Sequence, residues 1–344
     1  MDNRFASALF GTALGDAWGY PYQLPPQTER TPLPDELRIS DDTLMTLALS
    51  TAIGAIADRD LSRKDGLLEI AQQFLDYHRD RDYNRYRGNA TEEALQRMEE
   101  RGIEEWHRCA THSGGSCAVM RLSPAGMLAP RRQRVGWSVL QGVITHDSGV
   151  ARAACLVLGC LFSAEPGQDL TEVAGNIRLD PNLRADTVLT DHEKRGLLED
   201  LRTAHVRRLR GEDVPLTVLI ERVREVRRAL SPILGDGDFE RLYRERLKVK
   251  QTLGLGWDAG SCTASALLLA QLYLDHQERY DPHDFLHVAV NWPGNRKTRA
   301  SLTGALMGAH MDNMESWKTA RHYDFERRYH HAIYSGVWEG FAQA

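Results

Sequence analysis

The amino-acid sequence predicts an all-α fold, a compact globule built from many helices. Two observations lead to this prediction. Hydrophobic residues recur at intervals of three and four along most of the chain, which is the spacing of one face of an α-helix. No segment shows sustained alternation of apolar and polar residues, the pattern of a half-buried strand. We therefore expect few strands, and helices that pack as a bundle or cross at steep angles.

Six segments show the clearest helical pattern. In the first, Phe5, Leu9 and Ala13 repeat at a spacing of four and give one apolar face. The fourth is almost entirely apolar, so we expect it to be central and buried on most sides. Proline and glycine mark the connections, and the proline-rich stretch at 21–34 must be irregular. In chain order the predicted helices cover 4–18, 43–57, 62–80, 148–163, 262–276 and 298–311.

Composition and charge argue against several classes of protein. The 344 residues are 42% hydrophobic and 26% charged, which is ordinary for a globular protein. The net charge of −5 argues against binding nucleic acid through a general basic surface. The cysteines form no Cys-x-x-Cys pair and suit reduced thiols, so we expect a cytoplasmic protein. No signal peptide is evident and no apolar run approaches about 18 residues, so we expect no membrane span.

The segment at 190–250 differs from the rest of the chain. Runs such as 207–210 and 222–228 interleave charges of both signs with leucine, valine and isoleucine. Such a pattern is typical of surface helices with one solvated face. A docking surface for an acidic partner is the alternative interpretation.

An acidic turn at residues 40–43, Ser-Asp-Asp-Thr, is the leading candidate for an active site. Serine and aspartate are favoured at helix N-termini, so a purely structural cap is the simpler interpretation. The functional interpretation is a site for a hard cation, because adjacent carboxylates and hydroxyls supply the oxygen ligands that Mg²⁺ prefers.

Three further segments carry polar groups in suggestive settings. Asp16 lies in the glycine-containing stretch 11–19, and a carboxylate in apolar surroundings needs a partner. The small-residue loop at 113–117 can cradle phosphate with backbone N–H groups, or can simply be a turn. His146 follows Thr145 and is either a ligand-binding or a structural histidine. Trp257 and Trp292 are candidate pocket walls, although a buried structural role is the simpler prediction for each.

In order and spacing, these segments resemble the ADP-ribosylglycohydrolase family. Residues 11–19 match its Gly-x-x-x-Gly-Asp-Ala-x-Gly start, and residues 40–43 match its Thr/Ser-Asp-Asp-Thr turn. The glycine-rich loop and later Pro-x-Gly match at 114–126, and the Thr-His pair follows at 145–146. The resemblance spans roughly residues 5–320 and is weakest at 165–250.

The resemblance implies one all-α domain over residues 1–344, with a divergent charged helical region at 165–250. It also implies a two-magnesium centre and a hydrolase that cleaves the bond between ADP-ribose and a protein or other acceptor at the ribose anomeric carbon. The implied residues fall into three groups. They are the catalytic and metal-binding Ser40, Asp41, Asp42 and Thr298, the substrate-binding Gly114, Gly115, Ser116 and His146, and Asp16 as an orienting group behind the metal ligands.

The sequence departs from the family at the second metal motif, an Asp-x-Asp-Thr/Ser turn before the last core helix. Here Asn295 and Lys297 stand in place of the two aspartates, and only Thr298 is retained. Gln23 stands where many relatives carry a glutamate. Asparagine can still offer a neutral oxygen to a metal, but a protonated lysine cannot be a ligand and adds a positive charge.

Two magnesium ions carry about four positive charges and need several carboxylates, so we expect one Mg²⁺ at most. In a first hypothesis, one Mg²⁺ remains on Asp41 and Asp42, the Lys297 ammonium replaces the second ion, and hydrolysis persists. In a second, Lys297 pairs directly with Asp41 or Asp42, no metal binds, and the protein is a pseudoenzyme that binds ADP-ribosylated targets or a partner. A third possibility is an immunity protein that neutralises an ADP-ribosyltransferase toxin by occlusion. Lys297 could also simply point to solvent.

Overall fold

The computed structural model describes residues 3–23, 30–206, 213–311, 314–317 and 323–341 of the chain. The α-helices in these ranges are α1 (Asn3–Gly19), α2 (Asp41–Arg59), α3 (Arg63–His78), α4 (Asn89–Arg101), α5 (Ser123–Met127), α6 (Arg134–Val143), α7 (Gly149–Ser163), α8 (Leu170–Gly175), α9 (Pro181–Ala185), α10 (Asp191–Thr203), α11 (Leu216–Gly235), α12 (Phe239–Arg244), α13 (Arg246–Leu253), α14 (Ala259–His276), α15 (Pro282–Asn291), α16 (Arg296–His310) and α17 (Arg327–Ser335). Short 3₁₀ helices lie at Tyr20–Tyr22, Ile103–Arg108, Ser116–Ala118, Arg131–Gln133, Ile177–Leu179 and Met314–Trp317.

The all-α prediction is confirmed. Apart from isolated bridges, the strands in the described residues are β1 (His205–Val206) and β2 (Val214–Pro215), paired antiparallel with Val206 opposite Val214. The six predicted helices correspond to α1, α2, α3, α7, α14 and α16, with ends displaced by up to three residues. Hydrophobic periodicity therefore located these helices. It did not fix their ends, because the capping residues lie outside each apolar run.

Helices α7 and α14 are buried on nearly every side, as the apolar sequence of α7 predicts. Each begins at a polar residue that caps the helix. The Ser148 side chain accepts a hydrogen bond from the N–H of Ala151, and the Asp258 side chain accepts one from Ser261. The caps satisfy N–H groups that no helical carbonyl can reach. These two helices are thus fixed at one end by polar contacts and along their length by apolar packing.

Glycines allow α1 and α16 to pack with their backbones in close approach. A Cβ atom at Gly11 would lie 2.2 Å from the Gly304 carbonyl oxygen, and one at Gly304 would lie 2.1 Å from that of Gly11. A Cβ atom at Gly19 would lie 2.5 Å from the Cα of Lys297. The glycines of stretch 11–19 therefore serve close packing between the two helices. This packing brings the C-terminal end of α1 against the first turn of α16, where the altered motif begins.

The charged helices of the 190–250 segment lie at the surface and form ion pairs. Arg227 contacts Asp169 and lies 2.7 Å from Asp275, and Arg224 lies 2.9 Å from Glu172. The run at 207–210 and residues 24–29 of the proline-rich stretch lie outside the described residues. An acidic docking partner for this segment stays a prediction. Within the described ranges, none of the helices has the length and apolar character required to cross a membrane.

Candidate functional site

The acidic turn at the start of α2 is held by a carboxylate from α1. Oδ2 of Asp16 accepts hydrogen bonds from the backbone N–H groups of Ser40 and Thr43, at 2.7 and 3.1 Å, and from the Thr43 hydroxyl at 2.7 Å. Its Oδ1 accepts a hydrogen bond from the Ser40 hydroxyl at 2.5 Å. Ser40 makes no side-chain cap of its own, so Asp16 caps α2 from outside the helix. Asp16 thereby fixes the position of the two carboxylates that follow Ser40.

Lys297 places its ammonium group between those two carboxylates. Its Nζ contacts Oδ1 of Asp41 and lies 2.7 Å from Oδ2 of Asp42. All three side chains are buried, with 2% of the Lys297 side chain exposed. The alternative in which Lys297 points to solvent is therefore wrong. The physical reason is that α16 approaches α1 so closely at Gly19 that the side chain of Lys297 enters the site.

The charges in this cluster influence each other strongly because water is largely excluded. Burial raises the pKa of both aspartates, to about 7 for Asp42, against the opposing effect of Lys297. Burial alone would lower the pKa of Lys297, but Asp41, Asp42 and Asp16 together raise it well above its usual value. The lysine therefore remains an ammonium ion at neutral pH. Oδ1 of Asp42 has no hydrogen-bond partner within the described part of the chain.

Asn295 and Gln23 bond to each other beside Lys297. Gln23 donates from Nε2 to Oδ1 of Asn295 at 2.9 Å, and its Oε1 accepts a hydrogen bond from the Lys297 N–H at 3.1 Å. Asn295 also donates from Nδ2 to the Ser116 hydroxyl at 2.9 Å, and its Oδ1 accepts from the Thr298 N–H at 3.4 Å. The oxygen of Asn295 that a metal would need is thus already bonded to two donors. Thr298 is buried in the same wall.

These side chains, as arranged, do not fit the divalent cations that the resemblance implies. The ammonium of Lys297 lies where a cation shared by Asp41 and Asp42 would have to bind. A cation there would face a positive charge in a buried site, which is costly. Across the described ranges, no cluster of three or more histidine, cysteine, aspartate or glutamate side chains is arranged to hold a metal.

A cavity of about 470 Å³ opens beside this cluster. Asp41, Lys297 and Thr298 line one end, and His146 and Ser116 line another part. A second cavity of about 680 Å³ adjoins the first, and the two share Ser113, Gly115 and Trp257. We refer to the two together as the cleft. The size is within the range of small-molecule sites.

The indole ring of Trp257 stands at the junction of the two cavities with 45% of its surface exposed. The prediction that it is a buried structural residue is therefore wrong, because the loop before α14 carries it to the mouth of the cleft. Trp292 is buried, as predicted.

The glycine-rich loop lines the cleft, but two of its backbone donors are already engaged. The N–H of Gly115 donates to the Ser113 hydroxyl at 3.1 Å, and the N–H of Ser116 donates to the Trp257 carbonyl at 3.1 Å. These two N–H groups are therefore bonded within the chain, and phosphate binding by the loop stays a prediction. Gly114 lies in the adjoining cavity, where its carbonyl oxygen accepts from Ala259.

The N-terminus of α4 also borders the first cavity. Arg87, Gly88, Asn89 and Ala90 all line the first cavity, and Gly88 leaves the helix without a side-chain cap. Uncapped N–H groups at a helix N-terminus bind anions well. Sequence analysis missed this feature, because a glycine N-cap gives a weaker signal than serine or aspartate.

Tyr86 is a second residue that sequence analysis missed. Its ring lies 4.7 Å from Nζ of Lys297, and its backbone has a positive φ of 53°. This conformation costs free energy in a non-glycine residue, so the surrounding contacts must hold it. Tyr86 and Lys297 both line the first cavity.

His146 is almost completely buried, and its Nε2 has no hydrogen-bond partner among the described residues. Its Nδ1 lies 2.8 Å from the Thr145 hydroxyl. Burial, together with the nearby Arg121, lowers the pKa of His146 to about 3. The ring is therefore neutral at physiological pH, with one nitrogen available to a molecule in the cleft.

Comparison with known proteins bears on the origin of this site. A family model described as ADP-ribosylglycohydrolase matches residues 1–329. A solved structure described as an "ADP-ribosylglycohydrolase-related protein complex" has the same fold, with a TM-score of 0.51 and 19% sequence identity over 93% of this chain and 92% of that chain. At this identity the likeness shows the fold alone. No curated protein matches the sequence.

Proposed function

The chain belongs to the ADP-ribosylglycohydrolase family, and from this premise we propose that its cleft binds ADP-ribose, free or attached to a macromolecule, without a divalent cation. The observation that carries the proposal is the ammonium of Lys297 between Asp41 and Asp42. The ammonium offsets carboxylate charge without a metal ion. It cannot, however, coordinate and activate a water molecule as a metal does. Metal-dependent hydrolysis is therefore lost in this proposal, and binding remains.

The chemistry of the cleft suits the parts of ADP-ribose. Asp41 lines the cavity and can accept hydrogen bonds from ribose hydroxyls. The N-terminus of α4, the Arg87 side chain and Nε2 of His146 offer donors for the diphosphate. The exposed ring of Trp257 offers a face on which the adenine can stack.

A second candidate function is hydrolysis that survives without the metal pair. The observation that favours it is the raised pKa of Asp42, about 7, which suits a group that exchanges a proton near neutral pH. Asp41, however, is the member of the pair that lines the cavity. Under this alternative the chain would be an active glycosyl hydrolase with the lysine in place of one cation.

Titration calorimetry with ADP-ribose, in EDTA and again in millimolar Mg²⁺, tests the proposal. We expect binding of equal affinity in both, and Asp41→Asn should weaken it. Leu179→Ala is a suitable control variant, because Leu179 is exposed and does not line the cleft. Binding that requires Mg²⁺ would contradict the metal-free site. Absence of binding in both conditions would exclude ADP-ribose as the ligand and favour a protein partner such as an ADP-ribosyltransferase.

An assay for release of ADP-ribose from ADP-ribosylated protein separates the two candidates. We expect no release above that of the Asp41→Asn variant. Release by the wild-type chain in EDTA, lost in Asp42→Asn, would support metal-free hydrolysis instead.

A further inference from the structure

The contacts of Arg121 determine the direction in which the Thr145 hydroxyl donates its proton. Arg121 is fully buried and donates from Nε to Oε1 of Gln141 at 2.8 Å and from Nη2 to the Thr145 hydroxyl oxygen at 2.6 Å. Its guanidinium also lies over the ring of Phe74 at 4.4 Å. A guanidinium group has donors and no acceptor. The Thr145 oxygen is therefore an acceptor towards Arg121, and its proton is left to donate elsewhere.

The acceptor for that proton is the ring of His146. The Thr145 hydroxyl oxygen lies 2.8 Å from Nδ1 of His146. If Nδ1 carried the proton instead, the buried Thr145 hydroxyl would have no acceptor for its own proton among the described residues, which is unfavourable. Nδ1 is therefore the acceptor, and in a neutral imidazole the proton must then be on Nε2.

Nε2 is the atom of His146 that has no partner within the described ranges, and His146 lines the cavity beside Asp41. A Cβ atom at Gly115 would lie 3.4 Å from it, so the glycine leaves room next to the donor. An unsatisfied buried N–H group is costly unless a ligand or water occupies it. Nε2–H of His146 is therefore available to donate a hydrogen bond to an acceptor in the cavity.

We infer that Arg121 and Thr145 are positioning residues that hold His146 as a neutral donor, and that its Nε2–H binds an acceptor oxygen of the ligand, such as a phosphate oxygen. This inference deepens the proposed function and rests on it for the identity of the ligand. His146 then acts as a fixed donor, and the relay from Arg121 through Thr145 to His146 determines which nitrogen carries its proton.

The tautomer can be measured without any ligand. Long-range ¹H–¹⁵N correlation spectra of the wild-type protein should show an unprotonated Nδ1 and a protonated Nε2 for His146 at neutral pH. The signals are assigned by their loss in His146→Ala. A protonated Nδ1 would overturn the inference directly, whatever the protein binds.

Calorimetry with ADP-ribose then tests the positioning role. Thr145→Val removes the hydroxyl at constant shape and should weaken binding of ADP-ribose about ten-fold. Thr145→Ser keeps the hydroxyl and should bind ADP-ribose like the wild type. In a His146→Ala background, Thr145→Val should have no further effect, because the two residues act as one unit. Equal losses in both backgrounds would contradict the relay.

Thr303→Val is the matched control, since Thr303 is buried and, among the described residues, its hydroxyl donates to the Arg299 carbonyl of its own helix. We expect it to bind ADP-ribose like the wild type. If spectra show the expected tautomer but the wild type binds no ADP-ribose, the proposed function and the donor role both fail. A measured Nδ1–H tautomer in a protein that does bind ADP-ribose would refute the relay alone.

Discussion

The ammonium nitrogen of Lys297 lies 2.7 Å from Oδ2 of Asp42, and both side chains are buried. A buried pair of this kind is not necessarily stabilising, because both charges lose their hydration. Removing one partner, in contrast, destabilises the fold, because the remaining charge is left buried without compensation. Stability measurements can therefore test the arrangement independently of any ligand.

Replacing Lys297 with methionine should destabilise the protein strongly. The change leaves Asp16, Asp41 and Asp42 together without a cation, at a cost of about 3–5 kcal/mol at neutral pH. Urea denaturation provides the measurement. Lys64→Met, at an exposed position on α3, is the control and should stay within about 0.5 kcal/mol of the wild type. A similarly small effect for Lys297→Met would mean that the ammonium group is not buried between the aspartates.

Restoring aspartate at both Asn295 and Lys297 should create sensitivity to magnesium. The double variant replaces one positive and one neutral side chain with two carboxylates, the ligands that Mg²⁺ prefers. We expect millimolar Mg²⁺ to raise its melting temperature while leaving the wild type unchanged. The experiment is a thermal melt with and without MgCl₂. A rise in the wild type, abolished by Asp42→Ala, would instead support the one-magnesium hypothesis.

The pH dependence of stability should report on Asp42. The folded-state pKa of about 7 is higher than the value of about 3.9 for an unfolded aspartate. Between these values the folded protein binds more protons than the unfolded chain, so this group lowers stability as pH rises from about 4 to about 7. Asp42→Asn should remove that contribution and flatten the profile from urea denaturation.

Asp58→Asn is the control for this series, because Asp58 is exposed on the same helix. Its profile should follow the wild type. A profile for Asp42→Asn that is as steep as the wild type would show that another group titrates in this window.

Loss of the cap on α2 should also be measurable. Asp16 accepts four hydrogen bonds from Ser40 and Thr43, so Asp16→Ala leaves buried N–H and O–H groups unsatisfied. We expect a loss of about 3 kcal/mol in the free energy of unfolding. Ser62→Ala removes an ordinary N-cap from α3 and should cost about 1 kcal/mol. Equal effects of the two substitutions would show that Asp16 is no more than a local cap.

Trp257 should contribute to ligand affinity and little to stability. Its exposed ring lines both cavities of the cleft, so Trp257→Ala should weaken ADP-ribose binding about five-fold or more with little change in melting temperature. Trp257→Phe should retain part of the affinity. A large drop in melting temperature would instead indicate a structural role for the ring.

The sequence predicted the core helices well because their signal is local. Each apolar run has the period of a helix, which a short window of sequence is enough to reveal. Asp16 was singled out for a similar reason, since a carboxylate among apolar residues must find a partner. The resemblance to a family, rather than periodicity, drew attention to Asn295 and Lys297.

The missed features depend on contacts between residues distant in sequence. Tyr86 contacts Lys297 although more than two hundred residues separate them in the sequence, and its positive φ has no local sequence signal. The engaged N–H of Ser116 depends on the Trp257 carbonyl, which no pattern around the glycine-rich loop reveals. The uncapped N-terminus of α4 faces the cleft only because of how the whole chain folds.

The hydrogen bonds of Gln23 also constrain how this site can change during evolution. Its amide joins Asn295 and the backbone of Lys297, so the three positions depend on one another. Restoring an acidic residue at position 23 alone would place a carboxylate against the Asn295 oxygen. Restoring aspartate at 297 alone would leave several carboxylates without a cation until a metal binds. Single substitutions towards a metal site at these positions therefore pass through less stable variants, so a metal site is difficult to build here one substitution at a time.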